Sequence, residues 1–363
     1  MPSTSDPATT AAAAAEIQTI VERTGAIGRI RLNRPKALNS LTLAMVRDIE
    51  RALDDFEADA QVAVVLLTGE GERGLCAGGD IRMIYEGGRA GTEAPATFWR
   101  EEYRLNARIA RLGKPYVAVM DGIVMGGGVG VSVYGTHRIV TERTRLAMPE
   151  TGIGFFPDVG ASWFLTRQHG ELGTYAALSG DQLSAADAIA LGLADVFVPS
   201  GRLVPLIETL AALPADATGS DVSAAIAAHT KAAEPAVVAP HRPDIDRLLA
   251  FDTVEEIVEA LERDGSPFAE KTRAVLQTKS PLSLKVTLRL LRLGRAASSL
   301  EACLEKEFAA TAAVLRSHDF YEGVRAAVID KDRNPQWRPA RLAEVTDKEV
   351  AAFFKPSSEP LFP

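Results

Sequence analysis

The chain has 363 residues, enough for one large domain or a core with an appended unit, and its 47% hydrophobic and 24% charged residues are an ordinary globular composition. A net charge of −8 gives no support to a nucleic-acid-binding function. The sequence has no apolar run of the roughly 18 residues that a membrane-spanning helix needs, so neither nucleic acid nor membrane is expected as a partner.

The first fifteen residues are rich in Ser, Thr, Pro and Ala and contain no basic residue. We expect residues 1–15 to form a disordered tail rather than a secretory signal or a transit peptide, because the first arginine is Arg23. Cys76 and Cys303 lie far apart and offer neither a disulfide framework nor metal-ligand spacing. We therefore expect a cytoplasmic location.

Strand and helix patterns alternate in the next part of the chain. Residues 17–22 and 29–32 predict a hairpin around a turn at 25–28. Continuous apolar runs predict buried parallel strands, and apolar residues at helical spacing predict helices between them. The predicted strands are 62–68, 115–120, 137–141 and 196–199, and the predicted helices are 42–58, 96–112, 172–178 and 184–191. Ser184 is the expected N-cap of the last helix and Gly192 its C-cap.

This recurring order favours right-handed crossovers in a parallel α/β core, which we assign to residues 16–200. After about Gly201, alanine, leucine and charged residues dominate the sequence, with short Pro/Gly interruptions. Residues 201–363 are therefore predicted to be mostly α-helical. The predicted helices there are 255–263, 268–278, 283–293 and 300–315.

Two glycine-rich turns each connect a strand to a helix. The first contains Cys76-Ala77-Gly78-Gly79-Asp80 and the second Met125-Gly126-Gly127-Gly128. Glycine lets the backbone approach a ligand and point its N–H groups at it, so two such turns could present a pair of amides to one oxygen. Ordinary turn chemistry is the alternative interpretation. The absence of a Gly-Lys-Ser/Thr sequence gives no support to phosphate transfer.

Two acids follow in an apolar stretch punctuated by glycine and proline. Glu150 follows Met-Pro and Asp158 follows Phe-Phe-Pro, so both carboxyl groups are candidates for desolvation. Desolvation raises a carboxyl pKa and suits the group to acid–base work near neutral pH. The alternative is that Glu150 caps a turn and that Asp158 caps a helix starting near Gly160. The histidines show no metal spacing, and there is no G-x-S-x-G sequence for a serine triad.

These motifs carry a resemblance to a known family. Residues 32–41, Leu-Asn-Arg-Pro-Lys-Ala-Leu-Asn-Ser-Leu, resemble the opening motif of the enoyl-CoA hydratase/isomerase (crotonase) superfamily. The two glycine turns resemble its first and second oxyanion loops, and the motifs occur in the family's order. The resemblance implies an α/β fold, a crotonase-like spiral of ββα units followed by an α-helical C-terminal region.

One position departs from the pattern of the hydratases. Typical hydratases carry a first catalytic glutamate two residues after the third glycine of the second loop, and this chain has Gly130 there. Glu150 followed by Asp158 instead resembles the 3-hydroxyisobutyryl-CoA hydrolases, as do residues 98–103, 114–118, 319–325 and 329–335. The resemblance implies a thioesterase acting on a short 3-hydroxyacyl-CoA, within valine catabolism. A hydratase or isomerase of the same fold, or a non-catalytic acyl-CoA-binding protein, are the alternatives.

The resemblance also implies roles for single residues. The backbone amides of Gly79 and Gly127 would hold the thioester oxygen, and Glu150 would activate a water or attack the carbonyl itself. Asp158 would bind the substrate hydroxyl or assist proton transfer, and Glu102 would line the acyl end of the pocket. The other implied substrate-binding residues are Lys36, Ala37 and Leu38 at the adenine end of CoA, Gly78, Asp80 and Gly126 in the glycine loops, and Lys331 and Arg333 near the CoA phosphates.

Some of these implications leave alternatives open. Lys331 and Arg333 stand in an Asp-Lys-Asp-Arg run, which could equally be a set of solvated charges. No metal or redox cofactor is implied, since CoA is part of the substrate. The family tends to form trimers or hexamers through its C-terminal helices. A homo-oligomer is therefore one expectation, and a monomer whose helices fold back over their own active site is the other.

Overall fold

The computed structural model of the chain describes residues 17–357 and 359–362, so the tail predicted for residues 1–15 lies outside them. Within these residues, nine strands form two sheets. The strands are β1 (Thr19–Thr24), β2 (Ile27–Leu32), β3 (Val64–Gly69), β4 (Gly74–Cys76), β5 (Tyr116–Met120), β6 (Ile123–Met125), β7 (His137–Val140), β8 (Arg145–Ala147) and β9 (Val196–Phe197). Every strand predicted from the sequence is present, and the bounds differ by at most two residues.

All the helices predicted from the sequence are also present. The helices of the described residues are α1 (Leu43–Ala58), α2 (Ile81–Arg89), α3 (Ala94–Ala110), α4 (Gly127–Gly130), α5 (Ala161–Phe164), α6 (Leu172–Ser179), α7 (Ala185–Ala190), α8 (Leu203–Ala211), α9 (Gly219–Ala227), α10 (Arg242–Leu248), α11 (Val254–Asp264), α12 (Pro267–Gln277), α13 (Pro281–Arg295), α14 (Leu300–Val314), α15 (His318–Val324) and α16 (Asp347–Ala351). Ser184 is the N-cap of α7, as predicted, whereas Leu191 is its C-cap and Gly192 follows in the left-handed conformation.

The two sheets are built by pairs of consecutive strands. The larger sheet has the order β1-β2-β3-β5-β7-β9, and all its neighbours are parallel except β1 and β2. The smaller sheet has the order β4-β6-β8 and is parallel. Each pair β3–β4, β5–β6 and β7–β8 therefore gives one strand to each sheet. This arrangement confirms the predicted α/β spiral of ββα units followed by helices.

The small sheet was not predicted from the sequence. Its strands have three residues each, which is too short for an alternating pattern to be recognised. The second glycine-rich turn consequently has strand β6 directly before it and helix α4 directly after Gly126. This short sheet has a functional consequence, because β4 and β6 end directly at the two glycine-rich loops.

The larger sheet is buried on both faces, which explains its continuous apolar runs. Val65 and Leu67 of β3 pack into the main core with α1 and α3, while Val64 and Leu66 face a second cluster. The helices α8 and α9 cover that second face with residues such as Leu206, Leu210, Val222 and Ile226. Alternate side chains of one strand therefore stabilise two separate layers.

The C-terminal helices fold back over the core of their own chain. A Cβ on Gly154 would lie 2.1 Å from the carbonyl oxygen of Asp319, and a Cβ on Gly323 would lie 2.3 Å from the carbonyl carbon of Ile153. The backbone of α15 therefore lies directly on the turn that follows Glu150. The division into a core and a C-terminal region near residue 200 stays a prediction. Among the described helices, none combines the length and apolarity needed to cross a bilayer.

Candidate active site

The two glycine-rich loops face each other where β4 and β6 end. A Cβ on Gly78 would lie 3.4 Å from the carbonyl oxygen of Met125 and 3.7 Å from the amide nitrogen of Gly127. The first loop is fixed by the opening motif, because the Leu41 N–H donates to the Gly78 carbonyl at 2.8 Å. Among the described residues, the N–H groups of Gly79 and Gly127 donate to no backbone carbonyl. Two backbone donors therefore remain for a ligand.

A cavity of about 200 Å³ lies between these loops. The carboxyl groups of Glu102, Glu150 and Asp158 line it together with both glycine pairs. The rest of its wall is apolar and aromatic, and Trp99 stacks on Phe155 with ring centroids 5.5 Å apart. The apolar residues of the wall are Ala77, Ile81, Ile84, Phe98, Trp99, Pro149, Ile153, Phe155 and Val328.

Two of the carboxyl groups occupy the space that a side chain on the second loop would need. A Cβ on Gly126 would lie 2.8 Å from Oε1 of Glu150, and a Cβ on Gly127 would lie 2.4 Å from Oε1 of Glu102. Both positions therefore require glycine for as long as the carboxylates stay where they are. Oε2 of Glu150 and Oε1 of Glu102 are buried and have no hydrogen-bond partner among the described residues.

Burial dominates the electrostatics of these acids. Burial raises the pKa of Glu102 and of Glu150 well above the usual carboxyl value, and the charge of Asp158 raises both further. Burial also raises the pKa of Asp158 to about 7, although its hydrogen bond from Tyr103 opposes the shift. Because the three acids interact with one another, their titrations belong to the cluster rather than to single residues.

Asp158 is held in place by a tyrosine that sequence reasoning missed. The hydroxyl of the fully buried Tyr103 donates to Oδ2 of Asp158 at 2.7 Å. The alternative interpretation of Asp158 as a helix cap is wrong, because Gly160 is the N-cap of α5 and no side chain caps it. Asp158 contributes only its backbone carbonyl to that turn, which accepts from the Ala161 N–H at 2.8 Å.

The position where hydratases carry their first glutamate has no room for a side chain here. A Cβ on Gly130 would lie 2.8 Å from Cβ of Val159 and 3.0 Å from Nδ2 of Asn106. A glutamate at this position would displace both neighbours. The replacement of the hydratase glutamate by Gly130 is therefore matched by close packing of the residues beside Asp158.

The opening motif lies beside the cavity rather than in its wall. Lys36 and Ala37 are exposed, and Leu38 is half-buried with a left-handed φ of 53°. Asp80 accepts from the Met83 N–H at 3.3 Å as the N-cap of α2, and it pairs with Arg34 at 3.1 Å. The carboxylate of Asp80 thus joins the opening motif to the first glycine loop instead of lining the cavity.

Arg333 and Lys331 are placed differently. Both are exposed, but only Arg333 lines a second cavity, of about 620 Å³, which shares Pro149 and Ile153 with the first. Lys279 lines the same cavity, and its pKa is lowered by burial. Sequence reasoning missed Lys279, because a single lysine near the end of a predicted helix carries no local signal. Whether any of these residues touches a substrate stays a prediction.

Comparisons with known proteins extend over nearly the whole chain. A relative from Danio rerio named "3-hydroxyisobutyryl-CoA hydrolase, mitochondrial" is 45% identical over 94% of this chain and 90% of its own length. A relative from Homo sapiens with the same name is 43% identical over 93% of this chain and 88% of its own. The solved structure of a carnitinyl-CoA dehydratase from Mycobacterium thermoresistibile is 45% identical, with a TM-score of 0.89 over 95% of this chain and 98% of that one.

One expectation is corrected by these relatives. Both hydrolases are named as mitochondrial, which contradicts the cytoplasmic location expected from the sequence. That expectation rested on the composition of residues 1–15 and on two distant cysteines. Neither feature determines a compartment, because buried free thiols such as Cys76 and Cys303 fit any reducing interior.

The family itself follows from the extent of the match. The family model described as enoyl-CoA hydratase/isomerase matches residues 27–354, which include both glycine loops, the three acids and helix α15. The chain belongs to the enoyl-CoA hydratase/isomerase family.

Proposed function

We propose that this chain hydrolyses the thioester of 3-hydroxyisobutyryl-CoA and releases 3-hydroxyisobutyrate and CoA, a step of valine catabolism. The relatives named as 3-hydroxyisobutyryl-CoA hydrolases are 43% to 45% identical over more than nine-tenths of the chain. The observation that carries the proposal is the pairing of Glu150 and Asp158 in one buried cavity, with no space at Gly130 for the first catalytic glutamate of the hydratases.

The free backbone amides supply the first element of the mechanism. The N–H groups of Gly79 and Gly127 would donate to the thioester carbonyl and stabilise the negative charge that develops on its oxygen. One such donor contributes roughly 10²–10³ in rate in well-studied enzymes. Gly78 and Gly126 keep the two loops close enough for both donors to reach one oxygen.

Glu150 supplies the second element. Its unpartnered Oε2 would accept a proton from a water that attacks the carbonyl carbon, or would attack that carbon itself to form an anhydride that water then opens. On either route the carbon–sulfur bond breaks, the CoA thiolate takes up a proton, and the acyl group leaves as a carboxylic acid. Both routes require the ionised form of Glu150.

Asp158 and Glu102 would recognise the acyl group. Asp158 would accept a hydrogen bond from the substrate hydroxyl with the oxygen that Tyr103 leaves free. A buried acceptor discriminates against acyl groups that lack the hydroxyl, because its hydrogen bond would then be lost. Glu102, whose pKa is raised well above the ordinary carboxyl value by burial and by the charges of Asp158 and Glu150, would line the acyl end of the pocket.

The CoA portion would extend outside the cavity. The exposed backbone at Lys36, Ala37 and Leu38 would meet the adenine end. Arg333, with Lys279 in the same second cavity, would meet the phosphates. Lys331 and Asp80 are less suited, since Lys331 lines neither cavity and Asp80 is engaged by Arg34. No metal or redox cofactor enters the proposal, and a homo-oligomer and a monomer both fit it.

A hydratase, dehydratase or isomerase is the second candidate. The solved structure with a TM-score of 0.89 carries a dehydratase title, and Glu150 alone could serve a reaction that needs one acid. A non-catalytic acyl-CoA-binding protein is the third candidate and would bind CoA esters without turnover.

Thiol release from 3-hydroxyisobutyryl-CoA, followed with a thiol-reactive dye, tests the proposal. Crotonyl-CoA is assayed in parallel through the loss of its conjugated absorbance. We expect thiol release without hydration of crotonyl-CoA. Hydration without thiol release would establish the second candidate instead, and binding without either reaction would establish the third.

Substitution of Glu150 tests its catalytic role. We expect Glu150→Gln to lower kcat for thiol release by about 10²–10⁴, the usual contribution of a positioned acid–base group, with CoA-ester binding retained. Glu101→Gln is the matched control, because Glu101 pairs with Arg47 outside the cavity. Turnover at the wild-type rate in Glu150→Gln would contradict the assignment.

Substitution of Asp158 tests hydroxyl recognition. We expect Asp158→Asn to lower kcat/KM about 10- to 100-fold more for 3-hydroxyisobutyryl-CoA than for isobutyryl-CoA, since a hydrogen bond to a charged group is lost only with the hydroxylated substrate. Steady-state rates with both substrates provide the measurement. An equal loss on both would show that Asp158 acts in the chemistry or in the fold instead.

The raised pKa values predict the acidic limb of the pH profile. The ionised form of Glu150 is the active one. A raised pKa means that the inactive, protonated form persists to higher pH, so activity rises as pH rises through that pKa. We expect the inflection of kcat/KM well above 4.5. Removing the Asp158 charge should move this inflection to lower pH, as measured on isobutyryl-CoA with Asp158→Asn. An inflection near 4.5 in the wild type, or one that the substitution leaves unchanged, would contradict this electrostatic account.

A further inference from the structure

The turn that follows Asp158 has an unfavourable backbone conformation. Val159 has a left-handed φ of 52°, which is rare for a β-branched residue, and Gly160 follows with φ of 85°. Such conformations persist only where the surroundings enforce them, and they concentrate at functional sites. The groups that enforce this turn therefore also determine where Asp158 points.

A buried glutamate from the C-terminal half enforces it. Oε2 of Glu307 accepts from the Gly160 N–H at 2.6 Å, and Oε1 accepts from the Ser162 N–H at 2.9 Å and the Ser162 hydroxyl at 2.5 Å. Tyr134 adds a hydrogen bond from its hydroxyl to the Val159 carbonyl at 2.7 Å. All four bonds fall within four residues of Asp158.

Burial raises the pKa of Glu307 to about 8, and the hydrogen bonds from Ser162 and Gly160 oppose this shift because they favour the ionised form. Glu307 is fully buried in α14, and it forms no ion pair among the described residues. A buried carboxylate is costly unless donors converge on it, as the Gly160 and Ser162 groups do. The next residue, Phe308, packs edge-on against the ring of Tyr103, with centroids 6.4 Å apart. Helix α14 thus supports Asp158 twice, through its backbone and through its hydrogen-bonded tyrosine.

We propose that Glu307 is a positioning residue of the hydrolase. By holding the turn at Val159 and Gly160, it keeps the Asp158 carboxylate directed into the acyl cavity, which is the cavity lined by Glu102, Glu150 and Asp158. It thereby sets the preference for acyl groups that carry a hydroxyl. This inference rests on the proposed function. It adds a residue that lies outside the cavity and about 150 positions away from Asp158 in the sequence.

The test compares kcat/KM for 3-hydroxyisobutyryl-CoA with that for isobutyryl-CoA. Glu307→Gln keeps the shape of the side chain but points an amide N–H₂ at backbone N–H groups, so at least one donor loses its acceptor. We expect the ratio to fall about tenfold toward the Asp158→Asn value, the size of one lost hydrogen bond. The double variant Asp158→Asn/Glu307→Gln should have the same ratio as Asp158→Asn alone, because both substitutions act through the contact between Asp158 and the substrate hydroxyl.

Asp187→Asn is the matched control. Asp187 is also fully buried and accepts backbone N–H bonds, from Val238 at 2.8 Å and Ala239 at 2.9 Å, but it does not line the acyl cavity. We expect it to lower thermal stability and to leave the ratio intact. An equal fall of the ratio in Asp187→Asn and Glu307→Gln would overturn the proposal, since general loosening of the fold would explain both.

The remaining outcomes separate the two levels of inference. If the wild type releases no thiol, the proposed function fails before Glu307 is tested. If the wild type and Asp158→Asn behave as expected while Glu307→Gln keeps the wild-type ratio, the positioning role is overturned alone. Should Glu307→Gln fail to fold, Ser162→Ala removes only the hydroxyl donor. It should lower the ratio in the same direction by a smaller factor, and an unchanged ratio there overturns the proposal.

Discussion

The close approach of buried carboxyl groups to glycine backbone is the constraint on which the site depends. Oxygens of Glu150 and Glu102 occupy the space where Cβ atoms of Gly126 and Gly127 would stand. The glycines therefore do more than allow a tight turn, because their missing side chains let acids and backbone donors share one small cavity. The second loop also lies against Gly78, whose φ of 109° is in the region that favours glycine.

The close packing of three acids in one buried cavity determines the electrostatics of the site. None of the three acids forms an ion pair within residues 17–357, and burial raises the pKa of each. Because their folded-state pKa values lie above the unfolded ones, these acids contribute stability that is fully present below the unfolded pKa and is lost as pH rises through the folded pKa. The ionised forms of these buried carboxyl groups therefore cost stability, and this cost grows as pH rises.

The C-terminal helices complete the site instead of forming a separate layer. Val328 enters the wall of the cavity, and α15 lies on the turn at Glu150–Ile153 through the close contacts at Gly154 and Gly323. Glu307 of α14 reaches the turn beside Asp158. Core and C-terminal region are consequently coupled through the residues that are proposed to do the chemistry.

The sequence by itself determined the elements, the α/β class and the family, because apolar periodicity, glycine turns and motif order are local properties that read directly from residues in a row. It also identified Glu150, Asp158 and the glycine loops, and it marked Gly130 as a departure. The tertiary structure alone decided that Asp158 is no helix cap, that Asp80 pairs with Arg34, and that α15 covers its own chain. It also revealed Tyr103 and Glu307. These contacts join residues at least 46 positions apart, and no local pattern records which distant residue fills a given space.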